Sequence, residues 1–151
     1  MEVTESSAIL DDLPHPLDGQ VTCAGMFTPA DALEVFNVNF MDYEFSRIWI
    51  LKRLHPDGAH CPGCGTDIPE NKLQRFWSGG RMACRQCGKY FTALTGTFIS
   101  GSQLDFRVVF LLAVLLAIKL PDRQIAKITN MSAENVRLWR LKFLTAEKMT
   151  R

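Results

Sequence analysis

The stretch CPGCGTDIPENKLQRFWSGGRMACRQCGKYF, Cys61 to Phe91, decides the fold. It holds two Cys-x-x-Cys pairs, Cys61/Cys64 and Cys84/Cys87, with nineteen residues between them. Two residues between cysteines let the chain turn back as a tight knuckle that aims both sulfurs at one point. Gly65 and Gly88 follow the pairs, where backbone N–H groups are expected to approach the sulfurs. Two knuckles complete a tetrahedron of thiolates, the set that suits Zn2+ at Zn–S distances of about 2.3 Å. With every position filled by protein, such a site is closed and structural rather than catalytic. Cys61, Cys64, Cys84 and Cys87 are therefore the predicted ligands of one structural zinc ion. Structural zinc contributes folding energy, on the order of 10 kcal/mol of apparent binding, to a piece too small to fold alone. An iron–sulfur cluster is a second use of four cysteines. A redox pair is a third, but the surrounding βαβ pattern it needs is missing. His60 abuts Cys61 and reads as a bystander, and Cys23 as an idle thiol.

Outward from the cysteines, LQRFW and RMACRQC read as strands joined by a hairpin at Ser78-Gly79-Gly80, with KYFTAL as a third strand. Phe76, Trp77, Tyr90 and Phe91 read as the miniature core of this ribbon. Arg75, Arg81, Arg85 and Lys89 are interleaved with them, and the arginines read as phosphate contacts. Upstream, Thr28-Pro29 resembles a helix cap, predicting a helix over Pro29–Phe36 with Leu33 and Phe36 inward. Asp42 opens a second helix whose inner stripe is Phe45, Ile48, Trp49 and Leu51, ending at the turn His55-Pro56-Asp57-Gly58. Downstream, Asp105 to Leu120 is strongly helical, and Pro121 breaks it. The expected fold class is α+β: a small zinc ribbon (β-hairpin or three-stranded) flanked by N-terminal helices and a C-terminal three-helix bundle. The divisions are a disordered acidic leader (1–24), a helical segment (25–58), the ribbon (59–100) and the bundle (101–151).

Charge is unevenly distributed. Residues 1–50 carry nine acids and one base, whereas residues 51–151 carry sixteen bases and seven acids. An acidic leader followed by a basic body suggests a polyanionic partner for the body and a basic protein partner for the leader. The apolar run Val108 to Ile118 is shorter than the roughly 20 residues a membrane span needs, so no membrane role is expected. The N-terminus lacks the basic and apolar regions of a signal peptide, which predicts a cytoplasmic location and disfavours disulfides.

The segment DRQIAKITNMSAENVRLWRLKF, Asp122 to Phe143, fits a helix-turn-helix. Ile125, Ala126, Met131, Val136 and Trp139 occupy the offsets that pin two crossing helices. Asp122 and Ser132 read as caps, and Asn130 stands where glycine is usual, since asparagine tolerates the left-handed conformation. Ser132, Glu134, Asn135 and Arg137 lie near the N-terminal end of the last helix, the part that enters a major groove. There arginine pairs with guanine and asparagine with adenine. Arg123, Lys127 and Lys142 are the expected phosphate contacts, and Arg140 serves either role.

The stretches RLHPDGAHCPGCG and ACRQCGKYFTALTGTFISGSQLDFRVVFLLAVLL resemble the N-terminal zinc-ribbon region of a group of bacterial insertion-sequence transposases. In that group a Trp-Pro-Asp-Gly turn precedes the first knuckle, and an aromatic and Thr-Gly-Thr follow the second. A long apolar helix and a helix-turn-helix come next. Here the turn is His55-Pro56-Asp57-Gly58, the later marker is Thr95-Gly96-Thr97, and the likeness runs from about Phe27 to Leu144. Transposases of this group continue into a catalytic domain with three metal-binding acids, and no such pattern is found here. The resemblance therefore implies a DNA-binding region without the chemistry, located at the bacterial nucleoid. The function expected is a non-enzymatic, sequence-specific double-stranded DNA-binding protein, a transcription regulator derived from a transposase. Pairing on two half-sites would make it a homodimer. The competing readings are a zinc-ribbon adaptor for the transcription machinery and a remnant or accessory subunit of a transposase.

Overall fold

The structure, a computed structural model, describes residues 25–149; the leader and Cys23 lie outside the described residues. It is a mixed α and β fold with six α-helices and one two-stranded antiparallel sheet among the described residues. The helices are α1 (Pro29–Val35), α2 (Tyr43–Leu54), α3 (Glu70–Trp77), α4 (Phe106–Ala117), α5 (Asp122–Thr129) and α6 (Ala133–Met149), with a 3-10 turn over Val38–Met41. The strands are β1 (Met82–Ala83) and β2 (Tyr90–Phe91).

Several helix starts follow from local chemistry. Thr28 Oγ1 accepts from Asp31 N at 3.1 Å, and Asp31 Oδ2 accepts from Thr28 N at 2.9 Å, a reciprocal capping box ahead of Pro29. Asp42 caps α2 through Glu44 N at 2.7 Å, and Asp105 caps α4 through Arg107 N at 2.7 Å. The inward faces of α1 and α2 differ from expectation. Ala32 is the buried residue of α1, while Leu33 and Phe36 are 41% and 45% exposed. The small side chain lets α1 approach α4 closely, which turns the larger ones outward. In α2 the buried positions are Ser46, Ile50, Leu51 and Leu54, leaving Phe45 and Ile48 exposed and Trp49 half-buried.

The chain between the cysteine pairs also departs from the predicted hairpin. LQRFW belongs to helix α3, because Leu73, Phe76 and Trp77 recur at helical spacing and place one apolar edge against the core. Gly79 and Gly80 cap that helix instead of turning a hairpin. Gly79, at φ +86°, donates to Phe76 O at 3.0 Å, and Gly80 donates to Arg75 O at 2.9 Å, which is a Schellman motif. The hairpin is β1–β2, with Met82 opposite Phe91 and Ala83 opposite Tyr90, and its loop is the second knuckle. The third predicted strand, KYFTAL, is present but short: only Tyr90 and Phe91 pair, as β2. After β2 the threonines form local turns, Leu94 N to Thr92 Oγ1 at 3.2 Å and Thr97 Oγ1 to Leu94 O at 2.6 Å. These turns insert Ala93, Phe98 and Ile99 into the core.

Helix α4 is the axis of the fold. Eight of its twelve residues are buried, and it packs against α1, α2, α5 and the 3-10 turn. It stops three residues before the expected Leu120, where Lys119 takes a left-handed conformation at φ 64°. The core is bound together by rings. Phe27 meets Trp49, Phe98 and Phe143 edge-on at 5.1, 5.3 and 5.6 Å, joining α2, the segment after β2, and α6. Phe40 stacks on Phe110 at 3.9 Å. Edge-on and stacked ring pairs each add about 0.5–1.5 kcal/mol beyond their buried area.

His55 joins the cysteine-bearing unit to the helices. Its Nε2 donates to Ala93 O at 2.5 Å, and its ring lies edge-on to Phe76 at 4.9 Å. Burial lowers its pKa from the ordinary 6.5, opposed by the bond to Ala93 and aided by the nearby His60. A base with a depressed folded pKa binds fewer protons folded than unfolded, so its contribution is present above pH 6.5 and falls away below it. The wild-type thermal midpoint is therefore expected to drop more steeply between pH 7.5 and pH 5.5 than that of His55→Gln. Parallel slopes in calorimetry would exclude His55 as the titrating group.

Candidate functional site

The two knuckles are near-copies of each other. In the first, Cys61 N donates to Thr66 O at 2.9 Å and Gly65 N to Cys61 O at 2.8 Å. In the second, Cys84 N donates to Lys89 O and Gly88 N to Cys84 O, both at 2.9 Å. Gly65 and Gly88 make the reversal at φ 78° and 76°, a region that disfavours side chains. The N–H groups directed at sulfur are not theirs, as expected from the sequence, but those two residues after each first cysteine. Gly63 N points at Cys61 Sγ and Gln86 N at Cys84 Sγ, each at 3.3 Å.

The four sulfurs lie within 4.8 Å of one another, with Cys61–Cys87 and Cys64–Cys84 separations of 3.6 Å. A tetrahedral ion with metal–sulfur bonds of about 2.3 Å places its sulfurs about 3.8 Å apart, so the donor set fits such an ion. Cys61 is buried, Cys84 half-buried, and Cys64 and Cys87 exposed. Burial pushes the Cys61 thiol up to about 12. Backbone N–H groups of Cys87 and Gln86 bring the Cys84 thiol down to about 6, and the Thr66 hydroxyl lowers Cys64. This set can hold a metal ion such as zinc. His60 stands aside, with Nε2 on Asp67 Oδ1 at 2.9 Å and Nδ1 against Gly58 O at 3.2 Å.

The basic residues sort by exposure. Arg123 and Lys127 on α5, and Ser132, Glu134 and Arg137 at the start of α6, are all exposed. Arg123, Lys127 and Ala133 border one hollow of about 470 Å3. Glu134 accepts a charge-assisted bond from Arg137. Arg140 is half-buried and tied to Asp122 at the start of α5. Asp122 is thus the first helical residue and a side-chain tether, with Pro121 in the capping position. Asn130 holds φ 59° and ψ 38°, and Ser132 Oγ accepts from Asn135 N at 3.1 Å. Thr129 is buried and donates to Ile125 O at 2.7 Å.

Two predicted DNA contacts are corrected by burial. Asn135 is 4% exposed and Lys142 is fully buried. With Leu138 they follow a three-then-four spacing beside Val136, Trp139 and Phe143, so the inner face of α6 is wide enough to include both. The Lys142 ammonium lies 5.2 Å from the centre of the Trp139 ring, where a cation is attracted to the π face. Neither side chain is presented to a polyanion.

Helix α3 carries Arg75 and also supplies Lys72, which the sequence reading passed over. Lys72 and Arg75 join Arg81 along a polar groove of about 500 Å3, and Arg75 Nε donates to Arg81 O at 2.8 Å. Arg81 also stacks over Tyr90 at 4.8 Å, and Arg85 is exposed on the second knuckle. Helical periodicity around Phe76 was the available signal. No helix among the described residues is long and apolar enough to cross a membrane. Among known proteins, no family model, no curated protein and no solved structure matches this chain.

Purified protein is expected to carry about one equivalent of divalent metal by elemental analysis, lost on chelation or in Cys84→Ser. Its loss should collapse the amide dispersion of residues 59–91 in NMR spectra. Unchanged spectra from a metal-free protein with all four cysteines replaced by serine would refute a structural metal.

Proposed function

We propose that the chain is a sequence-specific double-stranded DNA-binding protein, a transcription regulator derived from the DNA-binding region of a transposase. Helices α5 and α6 act as a helix-turn-helix, and the N-terminal end of α6 enters the major groove. The observation that carries this reading is the hollow that Arg123 and Lys127 of α5 share with Ala133 at the start of α6, where Ser132, Glu134 and Arg137 are also exposed. Arg137 reads a guanine edge, and Glu134, which already orients it, accepts from a cytosine amine. Arg123 and Lys127 hold phosphates and fix the register of the docking.

In this reading the four cysteines hold a structural zinc ion. That ion keeps α3 and the β1–β2 hairpin together, so that Arg75, Arg81 and Arg85 grip a second stretch of backbone. The likeness of the knuckles, the Thr95-Gly96-Thr97 segment and the apolar helix to the transposase region supports the assignment. No catalytic role is proposed, because the closed tetrathiolate leaves no coordination position for a substrate.

Duplexes selected from a random pool by the metal-loaded chain should define one preferred site. Arg137→Ala should then lose about 1–3 kcal/mol at that site and relax the base preference at one position. Arg123→Ala and Lys127→Ala should each lower the slope of log K against log salt by about 0.9. Lys142→Ala should lower stability and leave that slope unchanged. Failure to enrich any duplex, or affinity independent of salt, would overturn the reading.

A further inference from the structure

The N-terminal helices present an apolar surface that the fold itself does not bury. Val38 and Met41 are 74% and 71% exposed, Phe36 and Phe45 each 45%, and Ile48 47%. Val38 and Met41 stand three residues apart on the 3-10 turn, where such positions eclipse each other, so both project from one side. Phe40 between them is buried and stacked on Phe110, which holds the turn from below. Phe36 lies 6.1 Å from Phe110 and Phe45 lies 5.1 Å from Phe40, so the exposed rings flank one aromatic base.

This surface is also held in place. Ser46 Oγ donates to Phe40 O at 2.7 Å, and Asn37 Oδ1 accepts from Asn39 N at 2.8 Å, pinning the turn from both ends. A turn that only had to reverse the chain would be served by polar residues. A pre-shaped apolar face loses little entropy on docking a partner, and exposed apolar patches mark interaction sites.

Charge at the rim selects the occupant. Glu34, Asp42 and Glu44 are exposed around the patch. Two neighbouring cations are already engaged, and a third, the exposed Lys119, borders the same hollow as Glu34. Arg47 is bonded to both oxygens of Glu44 at 2.8 and 3.1 Å, and Arg107 is bonded to Asp105 at 2.8 Å. The rim is left with an excess of carboxylate. Nucleic acid is repelled by it. The leader, residues 1–24, carries five acids and no lysine or arginine and is repelled likewise. A second copy meeting the same face would bring acid against acid.

We infer that this face docks a basic amphipathic segment of a second protein, with apolar anchors over Val38, Met41 and the flanking rings and with lysine or arginine against Glu34 and Asp42. Docking here does not require α6 to read DNA. The two faces have opposite charge and different helices, so one can be occupied with or without the other.

A library of random sixteen-residue peptides displayed on phage, panned against the metal-loaded full chain without DNA, tests this. Enriched peptides are expected to combine apolar anchors with net positive charge. Their affinity should fall about tenfold in the Val38→Gln/Met41→Gln protein and severalfold in Glu34→Lys. The Val38→Gln/Met41→Gln protein should keep the wild-type thermal midpoint and DNA affinity, since both side chains lie in solvent. Glu34 borders a hollow shared with Arg140 and Phe143 of α6, so Glu34→Lys is read by peptide affinity alone. Absence of enrichment, acidic peptides, or affinity indifferent to both variants overturns the inference. So does a tenfold gain in peptide affinity on deleting residues 1–24, which would make the leader the occupant. So does a dimer in sedimentation equilibrium that Val38→Gln/Met41→Gln dissociates, which would make the face a contact between copies.

Discussion

Four sulfurs within 4.8 Å of one another cannot all be thiolates unless a cation sits among them. That constraint governs the middle of the chain. The only sheet among the described residues has two strands of two residues each, too little to hold a fold by hydrogen bonding and packing. The knuckles close their own backbone turns, and four thiolates held this close would need a shared positive charge. The donor set can hold a metal ion such as zinc, which would supply it. With the cluster closed, α3 is pinned at one end by the first knuckle and at the other by β1. The groove of Lys72, Arg75 and Arg81 is a consequence of that geometry.

The cysteine-bearing unit is not a free-standing module. His55 bridges the end of α2 to Ala93, and Phe76 packs on the same imidazole. Phe27 touches rings from three parts of the chain that are distant in sequence. These contacts let the cluster hold more than its own loop, since whatever orders residues 61–91 also orders the turns that deliver Phe98 and Ile99 to the core. The basic groove beside α3 and the exposed start of α6 therefore belong to one framework.

Charge segregation gives this framework two faces. The helices before His55 are rimmed by carboxylates around exposed aliphatic and aromatic side chains. The chain after it carries almost all the lysine and arginine. The proposed DNA contacts and the inferred protein-docking patch use opposite signs of potential. Were both proposals to hold, repulsion would keep each class of partner from the other's site with no moving part.

Features set within a few residues were legible before folding. The Cys-x-x-Cys spacing, the Thr28-Pro29 box, the Asp42, Asp105 and Ser132 caps and the left-handed Asn130 are each decided by a local hydrogen bond or dihedral. Whatever turns on the neighbour across the core was not. Gly79-Gly80 suits a hairpin or a helix cap equally, and only burial of Phe76 selects the cap. Leu33 faces out because Ala32 lets α1 close on α4, and Lys142 and Asn135 are lost to solvent because α6 buries a wider face than its apolar residues mark. The knuckles and the caps at Thr28, Asp42 and Ser132 are short-range, whereas Asp122 falls one residue inside its helix with Pro121 in the capping position. Burial is a many-body outcome, fixed only when every facing surface is in place.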